Sequence, residues 1–592
     1  MLSLKQRSEI VIVAITALFL SIIYLWEIPK LSYNSLFMNP DSDTVLYTLD
    51  WQAYSIIYEP GNFFHIPMGY PKKYNLARQD QFFGALLLYL PIRYLTDNPV
   101  FALNLTTILL FTLCLLCTYL YARHLRFNPL ISFGVSMVYA FYSFHATNIP
   151  RTQLHTIYFL PLSLLSMEIF LEKNKRIFLF VSGILYGMQI ISCWYYGFFL
   201  APFIILYLFI REKQEKNKIG KILKDFLLFS LSVFIITAPF AYPYYLNYKQ
   251  TPIFYINLDK AIERSLSLRD LFNPSPFLKT FSLYSKILKP KIPFEEHTAY
   301  IGFMPYLLLL IILPLFISLW KKNEIDRDLR KFVFLFLFLL IISFVIASGP
   351  GKIWNNQFIP LPYYFLYKFI PGYKSIRSPG RANIMLVFCI LFLIGIVSEV
   401  CFRKMKLKHK TKFIISILIL FISFYEILPM KFKLLRHPLE KELPGVYKTL
   451  KNSNNEIVLL DLYPYSHKIT IPDPKTNNLT NRVSMKPSKC LYFAVFHRKK
   501  LVNMYTAYPD SDYIEIEKAV DDFPSALSLK EIIKRKYITH VIIHTENLGY
   551  EEDKIFLSDK ARKELIKFVE DNPELKLLGI YDSKDYLIQI IR

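Results

Sequence analysis

Apolar runs alternate with short polar stretches along the first 430 residues of the chain. A membrane-spanning helix needs roughly 17–25 predominantly apolar residues. Eleven runs fit this length or come close to it, and 197–211 is the shortest of them. The sequence therefore predicts a polytopic α-helical membrane protein with about 11 spans, at 9–26, 99–121, 129–146, 154–171, 176–193, 197–211, 222–244, 299–320, 332–348, 382–401 and 413–430.

Short basic stretches separate these runs at every second boundary. Together they carry 24 lysines and arginines against six acids, which is +18 of the formal net charge of +24. They lie at 1–8, 122–128, 172–177, 211–224, 321–331 and 402–412. Basic loops of membrane proteins stay on the cytoplasmic side. We therefore expect a multi-pass protein of the inner or plasma membrane with a cytoplasmic N-terminus, and no nucleic-acid partner.

A further apolar run, QFFGALLLYLPIRYL at 81–95, belongs to the first loop, 27–98, which is predicted to lie outside. A twelfth span at this place would put Arg123 and Arg126 outside and invert every later loop, against the charge rule. The run is therefore predicted to be an amphipathic helix on the outer membrane surface.

After residue 430 the composition changes. IVLLDLY (457–463) and HVIIHT (540–545) are typical of buried strands, 558–571 is predicted to be helical, and a closing hairpin is predicted around Ser583. The sequence thus predicts two domains: a transmembrane domain, 1–430, and an extracytoplasmic α/β domain, 431–592.

Ionisable residues are missing from the middle of every predicted span. Ion-coupled transporters need buried charges at that depth for their relays. A secondary transporter is therefore disfavoured, and the chemistry of the protein is expected in its outer loops.

The first loop contains NPDSDTVLYTLDWQAYSIIY. If this segment is helical, Asp43, Tyr47, Asp50 and Tyr54 share one face. A carboxylate held there by aromatic neighbours can act as a general base toward a hydroxyl group, or can bind a divalent metal. Asp43 is the first candidate, with Asp41 and Asp50 beside it. The alternative is that Asp41 or Asp43 only caps the helix.

The loop 349–381 is basic and contains no acid, against the positive-inside tendency. Its segment YKSIRSPGR places Arg377 and Arg381 four residues apart, just before a span, with Lys374 nearby. Two guanidinium groups can hold a phosphate in a bidentate manner. The alternative is that these side chains only reach toward lipid headgroups.

Six other residues are candidates for a substrate pocket on the outer side. Polar side chains at the turn FHATNIPRTQLH could supply acid–base groups, and aromatic rings could bind a sugar face, although interfacial aromatics are usually membrane anchors. The candidates are His145, Arg151, His155, Trp51, Tyr195 and Tyr196. The two histidines are ten residues apart and lack the spacing of metal ligands on a helix.

Taken together, these features resemble the GT-C superfamily of membrane glycosyltransferases, in particular its bacterial multispan members and, more distantly, the protein O-mannosyltransferases and aminoarabinose transferases. The resemblance covers nearly the whole chain. It rests on one span followed by a long acidic and aromatic loop, the surface helix, the His/Arg turn before LPLSLL (160–165), SIRSPGR (375–381) and the C-terminal α/β domain. Within the loop, the matching positions are Asp43, Thr44, Trp51, Asn62, Pro71 and Asn75.

The resemblance implies transfer of a hexose or pentose from a polyprenyl-phosphate carrier to a glycan, lipid or protein acceptor, in the synthesis of cell-envelope glycans or glycolipids. Asp43 would match the catalytic carboxylate, and Asp41 and Asp43 form a D-x-D like the acidic pair of some members. Because family members differ in metal use, the resemblance does not imply a particular metal for this chain. The competing hypothesis is a non-catalytic membrane scaffold or a lipid or polysaccharide translocator built on the same helices.

Overall fold

The computed structural model describes residues 4–27, 33–250, 257–288, 296–355, 357–430, 432–464, 479–480, 483–484, 488–506, 509, 511–520, 525–546 and 556–591. Its α-helices are α1 Leu4–Tyr24, α2 Pro40–Tyr58, α3 Phe83–Thr96, α4 Pro99–His124, α5 Pro129–Phe141, α6 Ser143–Thr147, α7 Phe159–Lys173, α8 Arg176–Ser192, α9 Trp194–Gln214, α10 Ile219–Gln250, α11 Leu258–Glu263, α12 Phe281–Leu288, α13 Phe303–Lys321, α14 Arg327–Ala347, α15 Tyr363–Phe369, α16 Asn383–Lys404, α17 His409–Ile427, α18 Gly445–Asn452, α19 Lys489–His497, α20 Ser511–Val520, α21 Ala526–Lys534 and α22 Asp559–Asp571.

The strands are β1 Ser35–Phe37, β2 Gly351–Trp354, β3 Gln357–Pro360, β4 Leu434–Arg436, β5 Val458–Pro464, β6 Leu479–Thr480, β7 Val483–Ser484, β8 Lys500–Leu501, β9 His540–His544, β10 Phe556–Leu557, β11 Leu575–Tyr581 and β12 Asp585–Ile590.

All 11 predicted spans coincide with helices. Within the described part of the chain, 8 helical stretches are long and apolar enough to cross a membrane: Gln6–Tyr24, Pro99–His124, Thr152–Lys173, Trp194–Gln214, Ile219–Lys249, Phe303–Lys321, Arg327–Ala347 and Pro379–Lys404. The other three predicted spans are α5, α8 and α17. Helix α5 stops after 13 residues because Tyr142 adopts an extended conformation, and α8 has 17 residues. The chain is a multi-pass membrane protein.

An Asn-Pro pair starts three of the helices. Asn39, Asn98 and Asn128 each cap a helix with a side-chain oxygen that accepts a backbone N–H, and proline follows at the first helical position. Asparagine is a preferred N-cap, and proline at this position loses no helical hydrogen bond.

Helix α4 and the Pro379–Lys404 stretch lie mostly inside the bundle, whereas few residues of α10 and α13 are buried.

The C-terminal region forms a mixed sheet in the order β11-β12-β9-β5-β7, with β8 beside β5. β5 runs parallel to β9, and the closing hairpin β11–β12 is antiparallel, as predicted. The sheet buries His544, whose Nδ1 and Nε2 contact Asp585 and Asp461 at 2.7 and 2.8 Å. The two carboxylates outweigh burial and raise the pKa of His544 to about 9.

The first loop and the C-terminal region share one hydrophobic core. Leu46 and Leu49 of α2 lie in the same buried cluster as Leu459 of β5 and Leu491 of α19. In addition, β1 pairs with β4, so that Ser35–Phe37 align antiparallel with Leu434–Arg436. The C-terminal region is therefore fastened directly onto helix α2, which carries the predicted catalytic acids.

Candidate active site

A cavity of about 1550 Å³ lies where the first loop, the loop before α16 and the C-terminal region meet. Its walls come from the first turn of α2, the segment 77–80, the start of α9, the end of α10 and residues 368–381. Tyr505 and Thr506 add a wall from the C-terminal region. Ligand pockets usually measure about 300–1,000 Å³. The cavity is therefore larger than the usual pocket for one small ligand.

The described lining is rich in positive charge. Seven cations face three acids, a surplus of four. The cations are Arg78, Arg151, Arg264, Lys368, Lys374, Arg377 and Arg381, and the acids are Asp41, Asp80 and Glu296. Cations gathered in a cleft of low dielectric constant concentrate anions there. The lining therefore favours an anionic ligand.

Arg381 is the most enclosed of the three predicted phosphate-binding residues, with 3% of its side chain exposed. Its Nη2 donates to Oε1 of Glu296 at 3.4 Å. Its guanidinium also lies over the ring of Tyr195, 5.0 Å from the ring centroid. The stacking fixes the plane of the guanidinium group. Arg381 and Tyr195, which were predicted as candidates for separate reasons, thus contact each other in the cavity wall.

Arg377 and Lys374 line the same cavity and are half-buried. Arg377 Nε is shielded from solvent and has no hydrogen-bond partner within the described part of the chain. A shielded donor of this kind is costly unless a ligand or water satisfies it. All three predicted phosphate-binding residues therefore reach one cavity.

A close backbone contact positions this basic loop. Gly380 donates its N–H to the carbonyl oxygen of Arg264 at 2.9 Å. A Cβ atom at Gly380 would lie 2.7 Å from that oxygen, so a side chain here would push the two segments apart. The absence of a side chain thus brings Arg264 and Arg381 to the same acid, Glu296.

Glu296 is a site residue that the sequence did not reveal. Its Oε1 accepts from Ser378 Oγ at 2.8 Å and from Arg264 and Arg381 at 3.4 Å each. Burial alone would raise the pKa of this carboxyl, but Arg381 and Arg264 outweigh it and lower the pKa to about 2. Its partners lie 32 to 85 residues away along the chain, so no local pattern could have singled it out.

Asp41 faces the cavity from the first turn of α2. Its Oδ2 lies 2.8 Å from Nε of Arg151, another predicted pocket residue. The N-cap of α2 is Asn39, whose side chain accepts the N–H of Asp41 at 2.9 Å. The capping alternative for Asp41 and Asp43 is therefore wrong, and the carboxylate of Asp41 remains available to the cavity.

Asp80 is a second cavity acid that the sequence did not indicate. Its Oδ1 accepts the backbone N–H of Trp194 at 2.9 Å. Protein encloses the carboxyl except where it meets the cavity. This desolvation raises the pKa of Asp80 to about 6, although the Trp194 hydrogen bond and the charge of Arg381 oppose the change.

Asp43 does not line the cavity. It is fully buried, and its Oδ1 lies 2.7 Å from Nε2 of the equally buried His437. Ser488 Oγ donates to its Oδ2 at 3.4 Å. His437 follows β4 and Ser488 precedes α19, so this cluster joins α2 to the C-terminal region. The catalytic role of Asp43 stays a prediction, and the observed contacts are those of a structural tie.

Asp50 also lies outside the cavity and has 1% of its side chain exposed. It accepts from Arg93 Nε at 2.7 Å, from Tyr89 at 3.1 Å and from Arg498. Burial opposes ionisation, but the two arginines outweigh it and lower the pKa of Asp50. Asp50 therefore connects α2, α3 and the residue after α19.

The remaining predicted pocket residues are buried apart from the cavity. His145 and His155 lie Nδ1 to Nδ1 at 3.1 Å, and His155 Nε2 contacts the carbonyl oxygen of Asn148 at 2.9 Å. Trp51 donates its indole N–H to the Phe63 carbonyl, and Tyr196 donates its hydroxyl to the Leu154 carbonyl. Among the six candidates, the cavity thus brings together Arg151 and Tyr195 and leaves out the other four.

Within the described ranges, no group of three or more histidine, cysteine, aspartate or glutamate side chains is close enough to hold a metal ion. Asp41 and Asp80 are the cavity acids without two arginine partners, and each offers carboxylate oxygens of the kind that divalent cations bind.

No family model and no curated protein sequence matches the chain. Its fold is similar to that of the arabinofuranosyltransferase AftD from Mycobacteria, with a TM-score of 0.54 and 9% sequence identity over 100% of this chain. The chain spans 40% of the length of that protein. At this identity the similarity shows a shared fold, and it confirms the GT-C-like fold that the sequence predicts.

Two further solved structures are similar to this chain with lower TM-scores. ArnT from Cupriavidus metallidurans, solved bound to undecaprenyl phosphate, has a TM-score of 0.41 and 10% identity, covering 99% of this chain and 98% of that one. The oligosaccharyltransferase AglB from Archaeoglobus fulgidus, solved with an inhibitory peptide and a dolichol-phosphate, has a TM-score of 0.40 and 11% identity, covering 92% and 70%.

Proposed function

We propose that this protein is a membrane glycosyltransferase that moves a hexose or pentose from a polyprenyl-phosphate carrier to a glycan, lipid or protein acceptor on the extracytoplasmic face. The single observation that carries the proposal is the composition of the cavity. It brings two carboxylates, Asp41 and Asp80, and the cationic segment 374–381 into the lining of one chamber. A sugar phosphate needs both kinds of group when its glycosidic bond breaks.

At the donor end, Arg377 and Arg381 hold the phosphate. When the bond between the anomeric carbon and the phosphate oxygen breaks, the phosphate leaves with the electron pair and its negative charge grows. Fixed donors aimed at such charge stabilise the transition state by a few kcal/mol each. Before the donor binds, the carboxylate of Glu296 is the ionic partner of Arg381. When the donor binds, its phosphate becomes a second anionic partner of Arg381.

At the acceptor end, Asp41 takes the proton of the attacking hydroxyl as the new carbon–oxygen bond forms. Arg151, whose Nε lies 2.8 Å from Oδ2 of Asp41, holds this carboxylate at the cavity wall. Asp80 is the second candidate for this base, because its pKa of about 6 lies near the working pH. Direct displacement on the anomeric carbon inverts its configuration.

The first test compares conservative aspartate variants. Asp41→Asn and Asp80→Asn keep the side-chain volume and remove the charge, so at least one should abolish transfer from a polyprenyl-phosphate sugar. Asp43→Asn should act mainly through stability, because its carboxylate contacts His437 and not the cavity. Asp571→Asn, on the exposed end of α22, is the matched control. Full transfer by both cavity variants would remove the proposed base.

The second test concerns the phosphate clamp and separates an enzyme from a scaffold or translocator. Arg381→Lys keeps the charge and loses the planar fork that stacks on Tyr195, so binding of a polyprenyl monophosphate should weaken about tenfold or more, or about 1.4 kcal/mol. Arg403→Lys, half exposed at the far end of the stretch Pro379–Lys404, is the matched control. Equal affinity in both variants would favour the scaffold hypothesis.

A further inference from the structure

The loop between α14 and α16 carries a small element formed by residues 351–355 and 357–370. Strands β2 and β3 form a two-stranded antiparallel hairpin in which Ile353 pairs with Phe358 and Lys352 with Ile359. Helix α15 follows and packs on it through Phe358 and Tyr364, whose ring centroids are 5.4 Å apart. We call this element the hairpin–helix.

The hairpin–helix exposes large apolar side chains on both faces. β3 is exposed along its whole length, and β2 is exposed except at Gly351. Trp354 is 69% exposed, and Phe365 and Phe369 of α15 are 65% and 64% exposed. A two-stranded hairpin without a covered face is at best marginally stable in water. Another phase or another molecule must therefore cover these side chains.

The charge of the hairpin–helix indicates what covers its exposed side chains. It carries Lys352 and Lys368 and no acid, and the whole loop 349–381 has no acid. Aromatic rings combined with lysines are the usual composition of segments that sit at the lipid–water boundary. The lysines add attraction for anionic lipid headgroups.

Its position fits the same boundary. The hairpin–helix begins four residues after the membrane span α14 ends and lies shortly before the stretch Pro379–Lys404. On the inner side, Tyr363 is fully buried and its ring contacts that of Tyr373, 5.6 Å away. Lys368, Phe369 and Ile370 line the cavity itself. The element therefore stands between the cavity and the surroundings of the helix bundle.

We propose that the hairpin–helix inserts its aromatic and aliphatic side chains into the membrane leaflet on the cavity side and binds an anionic lipid surface there. If the proposed function holds, the element borders the path by which a lipid-linked donor leaves the leaflet and reaches the cavity. The phosphate then meets Lys368 and Lys374 before it reaches the two arginines.

A depth measurement tests the insertion without any assay of activity. Asn355→Cys places an exposed thiol at the hairpin tip, and the six native cysteines are buried. The full-length protein carries an environment-sensitive fluorophore at this thiol in nanodiscs of phosphatidylcholine and phosphatidylglycerol. A nitroxide attached near the headgroup of the lipids should quench it strongly. The control, Lys560→Cys on α22, has a side chain that is 77% exposed and should not be quenched.

Two results would overturn the insertion. One is equal quenching at both labels. The other is that the lipid nitroxide has no effect at residue 355 and the fluorescence falls only when two labelled copies share one disc. That result would mean that a second copy of the protein covers the element. Replacing phosphatidylglycerol by phosphatidylcholine should reduce the quenching at residue 355, because the lysines then lose their anionic partners.

A variant that places acidic groups on the exposed apolar surface tests the link to the donor. Ile353→Asp with Phe365→Asp should abolish the quenching at residue 355 and lower turnover of a long-chain polyprenyl donor about tenfold or more, while a short-chain soluble analogue is used at the wild-type rate. Equal loss for both donors would contradict the path. If the wild type uses neither donor but residue 355 is quenched, the proposed function fails and the insertion stands.

Discussion

Glu296→Gln is the substitution for which the site geometry gives the clearest expectation. The carboxylate has 1% of its side chain exposed and holds Arg264 and Arg381 at 3.4 Å each. Glutamine has nearly the same volume and can still accept from Ser378, so the change removes charge and little else. The enclosed guanidinium group of Arg381 and the half-buried one of Arg264 then lose this counter-charge.

The size of the effect follows from the pKa of Glu296. Its usual value of 4.5 falls to about 2 in the folded protein. At about 1.4 kcal/mol per pKa unit this corresponds to about 3 kcal/mol that favours the ionised form. Because the folded pKa is depressed, this stability is fully present above pH 4.5 and is lost as the pH falls toward 2. At neutral pH, Glu296→Gln should therefore destabilise the protein by about 3 kcal/mol, within the range for breaking a buried pair.

Thermal unfolding in detergent at neutral pH measures this directly, with and without a polyprenyl monophosphate. The variant should melt several degrees below the wild type. It should also gain more from the lipid phosphate, because the freed arginines bind it and binding to the folded state stabilises it. Glu570→Gln, which is exposed on α22, is the control. If Glu296→Gln had the wild-type midpoint and the wild-type response to the ligand, Glu296 would not be the counter-charge of the clamp.

Three further predictions concern other charged groups. If ionised Asp80 is required, turnover should fall as the pH drops through about 6; turnover that stays constant down to about pH 5 would contradict this. The folded pKa of His544 is raised to about 9, so its contribution to stability should be complete below pH 6.5 and disappear as the pH rises through 9; limited proteolysis of the C-terminal region should show this loss in the wild type and not in His544→Gln. Asp50→Asn should lower the free energy of unfolding by about 3 kcal/mol, because Arg93 and Arg498 lose their shared buried counter-charge. Asp97→Asn, which removes only the exposed partner of Arg93, should leave the melting temperature nearly unchanged.

The helices and their order could be predicted because a membrane span is recognised from a contiguous run of apolar residues. The same holds for the strand at 458–464 and the closing hairpin, whose residues are apolar and contiguous. The lengths of α5 and α8 could not be predicted in this way, because they depend on where the backbone turns, as at Tyr142.

The site was predictable only in part. Arg377 and Arg381 stand out because basic residues in a predicted outer loop oppose the topological rule. The choice between Asp41 and Asp43 depended on rotation about the axis of α2, and this rotation is set by the packing of α2 against α19 and His437. Glu296 and Asp80 carried no local signal, since their partners come from distant segments.

The pairing of β1 with β4 has a consequence for how the protein is made. Asp43 and His437 are 394 residues apart along the chain, and nearly all the predicted spans lie between them. Tyr505 and Thr506, which complete the cavity wall, are synthesised later still. During biosynthesis the helices must therefore insert around an unfinished chamber. The chamber can be sealed only once the chain has been made past Thr506, so a chain that stopped after the last predicted span would lack this wall of the cavity.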